Sequence, residues 1–249
     1  MVAATAHATS FADLHVHSSA SFDSLSRPAD LVRAALQRGL THLAITDHER
    51  LDGALRARDL APSELRVIVG EEVRTAGGDI IGLYLERAVP AGLSLADAGA
   101  AIREQGGLVG LPHPFDRFRS SGGSRTGAAE EALRELAGSV DFVEAHNGRA
   151  LGGGNVRAAG FAVQHSLPGV AASDAHTVQE VGLAYTILPG DPGSAAEMRE
   201  ALAGARLVLG RASLYVRGWT PFAKLVQRRR GNGRMPLAMS DRARERSSS

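Results

Sequence analysis

The chain of 249 residues contains no cysteine, which excludes disulfides, thiolate zinc sites, iron–sulfur clusters and cysteine nucleophiles together. Lysine is nearly absent too: Lys224 is the single lysine among 28 basic residues, and the rest are arginine. Aromatic residues make up 4% of the chain, so small aliphatic side chains have to build the core, and 29 glycines imply many turns. No apolar run approaches the ~18–20 residues that would cross a membrane, and no membrane partner is expected. The start, MVAATAHATS, has neither a basic nor an apolar leader region, so the expected location is cytoplasmic. Without thiols, a strong metal site has to be made of imidazole and carboxylate, and nine histidines are available.

The net charge of +1 hides an asymmetry. Nine basic residues and two acids fall between Arg217 and Arg246, leaving 19 basic against 25 acidic residues in the remainder. The expected organisation is a flexible start over 1–10, one barrel domain over 11–216, and a basic C-terminal helix over 217–249 that ends in a disordered tail from about 231. Trp219, Pro221 and Leu225 are expected to anchor that helix. Acidic partners or nucleic acid would suit the segment, although a solvated helix is the simpler reading.

Between residues 11 and 209, short apolar runs alternate with amphipathic segments, the pattern of βα units around a mostly parallel sheet. The runs are Phe11–Val16, Thr41–Thr46, Leu65–Val73, Asp79–Leu85, Leu108–Leu111, Val140–Ala145, Pro168–Ala172, Leu183–Leu188 and Arg206–Leu209. Pro28 opens a helix that Gly39 closes, and Ser194 with Glu197 forms a capping box on another that Gly204 stops. Residues 116–128, DRFRSSGGSRTGA, read as a loop, either a phosphate-binding lid or an exposed connection.

The histidines and several acids collect at the C-terminal ends of these runs, which in a parallel barrel share one rim. Asp13, His15 and His17 alternate and are expected to face one side of the first strand. Thr46-Asp47-His48 ends the second run, and Gly70-Glu71-Glu72-Val73 ends the third. His113 lies between two prolines, Glu144-Ala145-His146-Asn147 follows VDFV, and Ser173-Asp174-Ala175-His176 follows GVAA. So many carboxylates and imidazoles in one place require cations, and more than one divalent metal is the economical explanation. His7, His42 and His165 belong to no such motif and are expected to be structural.

These motifs, DLHVHS at 13–18, TDHE at 46–49, GEEV at 70–73, LPHP with His113 and SDAH at 173–176, resemble those of the PHP (polymerase and histidinol phosphatase) family of metal-dependent phosphoesterases, in the family's order. The resemblance implies an α/β fold, a distorted seven-unit TIM-like barrel with its metal site at the C-terminal rim. It implies two or three divalent ions, manganese, iron or zinc, with magnesium as a further candidate. His15, His17, Glu72 and Asp174 would hold one, His113 with Glu72 a second, and Asp23, His48 and His176 a third. The further ligand of the second ion stays open among Asp79, Glu144 and His146. Asp13 and Asp47 would support catalysis by orienting imidazoles, and His176 lies where a proton could pass to the leaving oxygen.

The expected activity is hydrolysis of a phosphate ester, of a nucleotide or short oligonucleotide, by a metal-bridging hydroxide. Arg119, Arg149 and His146 are the chosen substrate-binding residues, with Arg117 a further candidate, because the planar arginine fork suits phosphate. A histidinol-phosphate-type or other small-metabolite phosphatase is the near alternative. An amidohydrolase and a non-catalytic metal- or phosphate-binding module are the alternatives of another class. The oligomeric state is not legible.

Overall fold

The computed structural model describes residues 9–116 and 138–234. Strands β1 (Thr9–Val16), β2 (His42–Ile45), β3 (Arg66–Thr75), β4 (Gly78–Leu83), β5 (Leu108–Leu111), β6 (Phe142–Asn147), β7 (Gly169–Ala172), β8 (Tyr185–Pro189) and β9 (Arg206–Val208) form one sheet in the order β7-β6-β5-β4-β3-β2-β1-β8-β9. The helices are α1 (Pro28–Gln37), α2 (Asp52–Leu60), α3 (Leu95–Arg103), α4 (Gly154–Gln164), α5 (Ala195–Leu202), α6 (Leu214–Arg217) and α7 (Trp219–Arg229). Beyond the β7 end, β1 meets the chain again: Val16 bridges Ala175 in parallel, and the His17 amide donates to the Ala175 carbonyl at 2.8 Å. The sheet is therefore a nearly closed, distorted barrel.

One cluster takes a side chain from each of the first seven strands: Leu14, Ala44, Ile68, Ile81, Leu108, Phe142 and Val170. Only the inside of a barrel lets all of these meet. Leu188 of β8 and Met198 and Leu202 of α5 join the same cluster. The second cluster, including Leu31, Leu43, Ile45, Val67 and Val69, lies between the strands and the outer helices. No helix among the described residues is long and apolar enough to cross a membrane.

Strict βα alternation fails at β8, which follows β7 without a helix and runs antiparallel to β1 and β9, and it fails at β4. The sheet expected to be mostly parallel therefore has four parallel and four antiparallel pairings. β3 and β4 form an antiparallel hairpin around Ala76-Gly77, and β5 returns antiparallel to β4, so the start of β4 lies at the rim where β3 ends. The rim thereby gains Asp79, which pairs in register with Arg74. β1 itself is irregular. Asp13 registers with Leu43 and Val16 with Ile45, so two residues of β1 stand where β2 has one. The bulge reverses the pleat. Asp13 and Val16 then share a face, while His15 and His17 lie on the other, which corrects the expectation that all three of Asp13, His15 and His17 point one way.

The cap signals work as read. Pro28 occupies the first turn of α1, Gly39 follows it at φ +70°, and both reciprocal bonds of the Ser194–Glu197 capping box are present. Thr9 and Ser10, at the end of the stretch expected to be flexible, belong to β1. Arg117 and Arg119, most of the 116–128 loop, His7 and the end of the tail lie outside the described residues. The interior is tight at Gly110, where an added Cβ would run into the Phe142 ring. Gly110→Ala should therefore destabilise the fold by about 1–3 kcal/mol, read as a lower urea midpoint at unchanged m-value.

Candidate metal centre

Two of the ligand-bearing segments leave the extended backbone, and their side chains turn into one small volume, whereas His15 and Glu72 reach it from within β1 and β3. His113 has φ 26° and Asp174 φ 54°, values uncommon for residues with a Cβ. At His113 the amide donates to Glu144 Oε2 at 2.9 Å, and the ring reaches Glu72 Oε1 at 3.1 Å. Backbone strain of this kind persists only where the surroundings over-determine it.

Glu72 is the centre of the arrangement. One carboxylate oxygen faces His113, and the other lies 3.3, 3.3 and 3.4 Å from His15 Nε2, His17 Nε2 and His48 Nδ1. Asp174 Oδ1 lies 3.7 and 3.5 Å from His15 Nε2 and His17 Nε2. On the outer side, Asp23 Oδ2 is 3.3 Å from both His48 Nε2 and His176 Nε2. Three groups of donor atoms, each within 4.8 Å, result: His15, His17 and Glu72; His15, His113 and Asp174; and His17, Asp23, His48 and His176. All eight sequence-selected metal candidates meet here, and His17 joins the outer group as well as the inner one.

Most of these separations are long for hydrogen bonds. They are close to the ~3.4 Å edge of a tetrahedron whose ligands lie about 2.1 Å from its centre. His17 Nδ1 and Asp79 Oδ1 are buried without a hydrogen-bond partner among the described residues. The donors are nitrogen and oxygen only, the set that suits manganese, iron, zinc or magnesium. The residues present therefore fit divalent cations.

The three residues left open for the second ion separate clearly. Glu144 is already committed: it bonds His15 Nδ1 and accepts from the His113 amide and from Asn147 Nδ2. His146 is turned away, its Nε2 on the Gly210 carbonyl at 2.7 Å and its Nδ1 near Asn155. The register shift between Glu144 and His146 in β6 accompanies this turn and puts the expected substrate-binding role of His146 in the wrong place. Asp79 faces the cleft beside Glu72.

Glu144, not Asp13 or Asp47, touches an imidazole in the orienting manner. Asp13 accepts from Ser173 N and Oγ and from Gly182 N, which ties β1 to the segment after β7. Asp47 accepts from Ser18 N and Oγ at 2.6 Å each. Burial pushes both carboxyls up to about 6 against these donors. Their observed contacts brace the loops that carry the histidines and do not set ring tautomers. Asn147, which links Glu144 Oε2 to Asp174 Oδ2, has no precedent in the sequence reading beyond its place in the EAHN motif. Glu71 points to the opposite side and accepts from Val89 N, and burial raises its carboxyl to about 7. His42 is structural: its Nε2 meets the Pro192 carbonyl at 2.9 Å.

A cleft of about 270 Å³ opens over the cluster. Asp23, His48, Glu72, Asp79 and His176 line its floor, and Arg149, Arg217, Lys224 and Arg234 line its walls. Arg149 is buried, with Nη1 3.2 Å from both oxygens of Glu180 and Nη2 2.7 Å from Thr220 Oγ1. Trp219 and Leu225 are half exposed and do not anchor α7. Its buried residues are Ala223 and Gln227, and the Gln227 amide donates to the carbonyls of Ser19, Ser21 and Ser24. A polar clasp holds the helix because the surface beneath it is loop backbone with free carbonyls.

Comparison with known proteins places this geometry. The family model described as PHP domain matches residues 13–143, and the one described as PHP-associated matches 144–207. The chain belongs to the PHP family. An uncharacterized protein of Methanocaldococcus jannaschii is 37% identical over 174 residues, 70% of this PHP chain and 68% of that protein. An error-prone DNA polymerase of Mycobacterium bovis is 37% identical over 125 residues, but these are 12% of the polymerase. A 5'-3' exoribonuclease of Haemophilus influenzae is 31% identical over 118 residues, 42% of each chain. Among solved structures, a two-domain protein of Bacteroides vulgatus described as containing a predicted PHP-like metal-dependent phosphoesterase shares the fold. Its TM-score is 0.67 at 20% identity, over 82% of this chain and 66% of that one.

Protonation of the PHP site follows from its charges. Burial opposes charge on His48, but Glu72 and Asp23 outweigh it and raise the ring to about 9. For His176, burial and Arg149 prevail over Asp23 and lower it to about 3. At neutral pH His48 therefore carries a proton that a metal has to displace, while His176 is already neutral. Metal affinity should rise with pH up to about 9. Calorimetry with Mn²⁺ at neutral pH, in buffers of different ionisation enthalpy, should report net proton release. Affinity independent of pH and no release would contradict this charge assignment.

Proposed function

We propose that the chain is a metal-dependent phosphoesterase that hydrolyses a phosphate ester of a nucleotide or short oligonucleotide. The carrying observation is a floor of converging carboxylate and imidazole donors beneath a cationic wall in one cleft. His15, His17, Glu72 and Asp174 would hold one ion, His113, Glu72 and Asp79 a second, and Asp23, His48, His176 and His17 a third. Divalent ions, when bound, supply Lewis acidity toward a phosphoryl oxygen and a water of lowered pKa.

The chain's own residues do the rest. Glu144 fixes the His15 ring, and Asn147 holds Glu144 and Asp174 in register with each other. His176 lies on the cleft floor, neutral, with Nδ1 donating to the Asp174 carbonyl and Nε2 left toward Asp23 as a donor atom for an ion. Arg149 puts positive charge on the wall while Glu180 and Thr220 keep it from moving, and a phosphate oxygen can approach its cleft-facing side. The names of the polymerase and exoribonuclease relatives support a nucleic-acid or nucleotide substrate, as do the basic residues of the C-terminal segment.

Purified protein with added Mn²⁺ should hydrolyse members of a panel of phosphate mono- and diesters and leave cyclic amides untouched. His15→Ala should lower turnover by about 100-fold or more while circular dichroism shows an intact fold. Turnover of amides alone would transfer the chain to amidohydrolase chemistry, and unchanged turnover in His15→Ala would remove the site assignment.

A further inference from the structure

The C-terminal segment beyond residue 207 lies outside both matched family stretches, yet it forms part of the cleft. Its attachment is specific. Gln227 is buried and donates to Ser19, Ser21 and Ser24 carbonyls at 2.8, 3.0 and 2.7 Å. Asn232 donates to the Ala20 carbonyl at 3.0 Å, and its own oxygen accepts from Arg50 at 3.0 Å. The clasped loop is the one that carries Phe22 and Asp23, so the helix is fixed relative to the metal-ligand cluster.

Two cations from this segment face the same ring. Lys224 Nζ is 5.2 Å and Arg234 Cζ is 5.3 Å from the Phe22 ring centroid. Phe22 in turn packs on the His48 ring, with centroids 4.9 Å apart. Arg234 is held only loosely by an acid, at 3.9 Å from Glu49, which already faces Arg74 at 3.4 Å. No carboxylate among the described residues lies in ion-pair range of the exposed Lys224. The single lysine of the chain therefore presents a compact point charge at the mouth of the cleft, next to an aromatic ring and one residue layer from the candidate metal ligands.

A cation pair beside an aromatic face is the pattern that tracks a single strand: the ring offers a stacking surface to any base, and the charges follow the backbone. A phosphate held on the cleft floor would place the next group of a chain-like substrate at this mouth. We propose that Lys224 and Arg234, both beside Phe22, form a subsite for the phosphodiester that flanks the reacting phosphate in a single-stranded oligonucleotide. The inference rests on the phosphoesterase reading above and narrows its substrate from a nucleotide or short oligonucleotide to the strand. In this subsite Lys224 is the specificity-determining residue, and α7 acts as a fixed wall that a mononucleotide reaches only in part.

The test uses the full chain loaded with Mn²⁺ and a fluorescent phosphorothioate oligothymidylate of about ten nucleotides, which resists hydrolysis. Anisotropy should show binding that weakens with salt. Lys224→Ala should weaken it about five- to tenfold and reduce the slope of log affinity against log salt by about 0.7, while Lys224→Arg restores most of both. Equal affinity and slope in Lys224→Ala would overturn the proposal. In turnover, Lys224→Ala should lower kcat/KM for an unmodified oligothymidylate about five- to tenfold more than for p-nitrophenyl phosphate, mainly through KM. Equal losses on both substrates would make Lys224 a structural residue and overturn the subsite. Wild-type protein without turnover of either ester, but with Lys224-dependent strand binding, would overturn the phosphoesterase reading and leave the subsite standing. Active wild-type protein whose substrate ratio Lys224→Ala does not move would do the reverse.

Discussion

Glu72 is buried with one oxygen against His113 and the other against His15, His17 and His48, and that placement is unfavourable until positive charge shares it. Burial alone would push the carboxyl up, yet His48 and His15 hold it well below the usual carboxylate range. The same holds for Asp23 between His176 and His48. Each carboxylate is thus kept ionised by neighbouring imidazoles, of which His48, shared by both, carries a proton, or by cations standing where such protons are. Removing one partner from such a set leaves the others buried and uncompensated, which is why the group behaves as one unit.

Much of the barrel serves to bring this set together against its internal repulsion. The bulge in β1 separates Asp13 from the two histidines and frees it to fasten β1 to the Ser173 and Gly182 amides. The antiparallel β4 contributes Asp79 from its first residues, which a strand running the other way would deliver to the opposite end. The positive φ values of His113 and Asp174 are the local strain that aims these side chains inward. The apolar interior around Phe142 and Leu14 supplies the compensating stability on the far side of the rim.

The apolar runs were legible because strand and helix periodicities differ, and the observed strands fall on the expected ones to within a few residues. The rim motifs were legible because hydrophobic strands ended on imidazoles and acids. What escaped was whatever depends on pleat parity or on contacts distant in sequence. A bulge is invisible in the alternation of Asp13, His15 and His17, so Asp13 looked like their neighbour. Glu144 and His146 are two apart and looked equivalent, and only the irregular end of β6 makes one a partner of His15 and the other a partner of Gly210. The C-terminal helix was read from its apolar residues, whereas Gln227, polar and unremarked, holds it. Its return across the cleft involves contacts more than 200 residues apart, beyond any local pattern.

The central claim is that this cluster is a cation site and not a network of buried ion pairs. Metal content by mass spectrometry on protein purified without chelator, joined to thermal unfolding before and after chelation, addresses it most directly. Two or three divalent ions per chain are expected, with chelation lowering the Tm and Mn²⁺ restoring it in a concentration-dependent way. Protein that carries no divalent metal, and whose Tm is unmoved by chelator and by added Mn²⁺, would contradict the account.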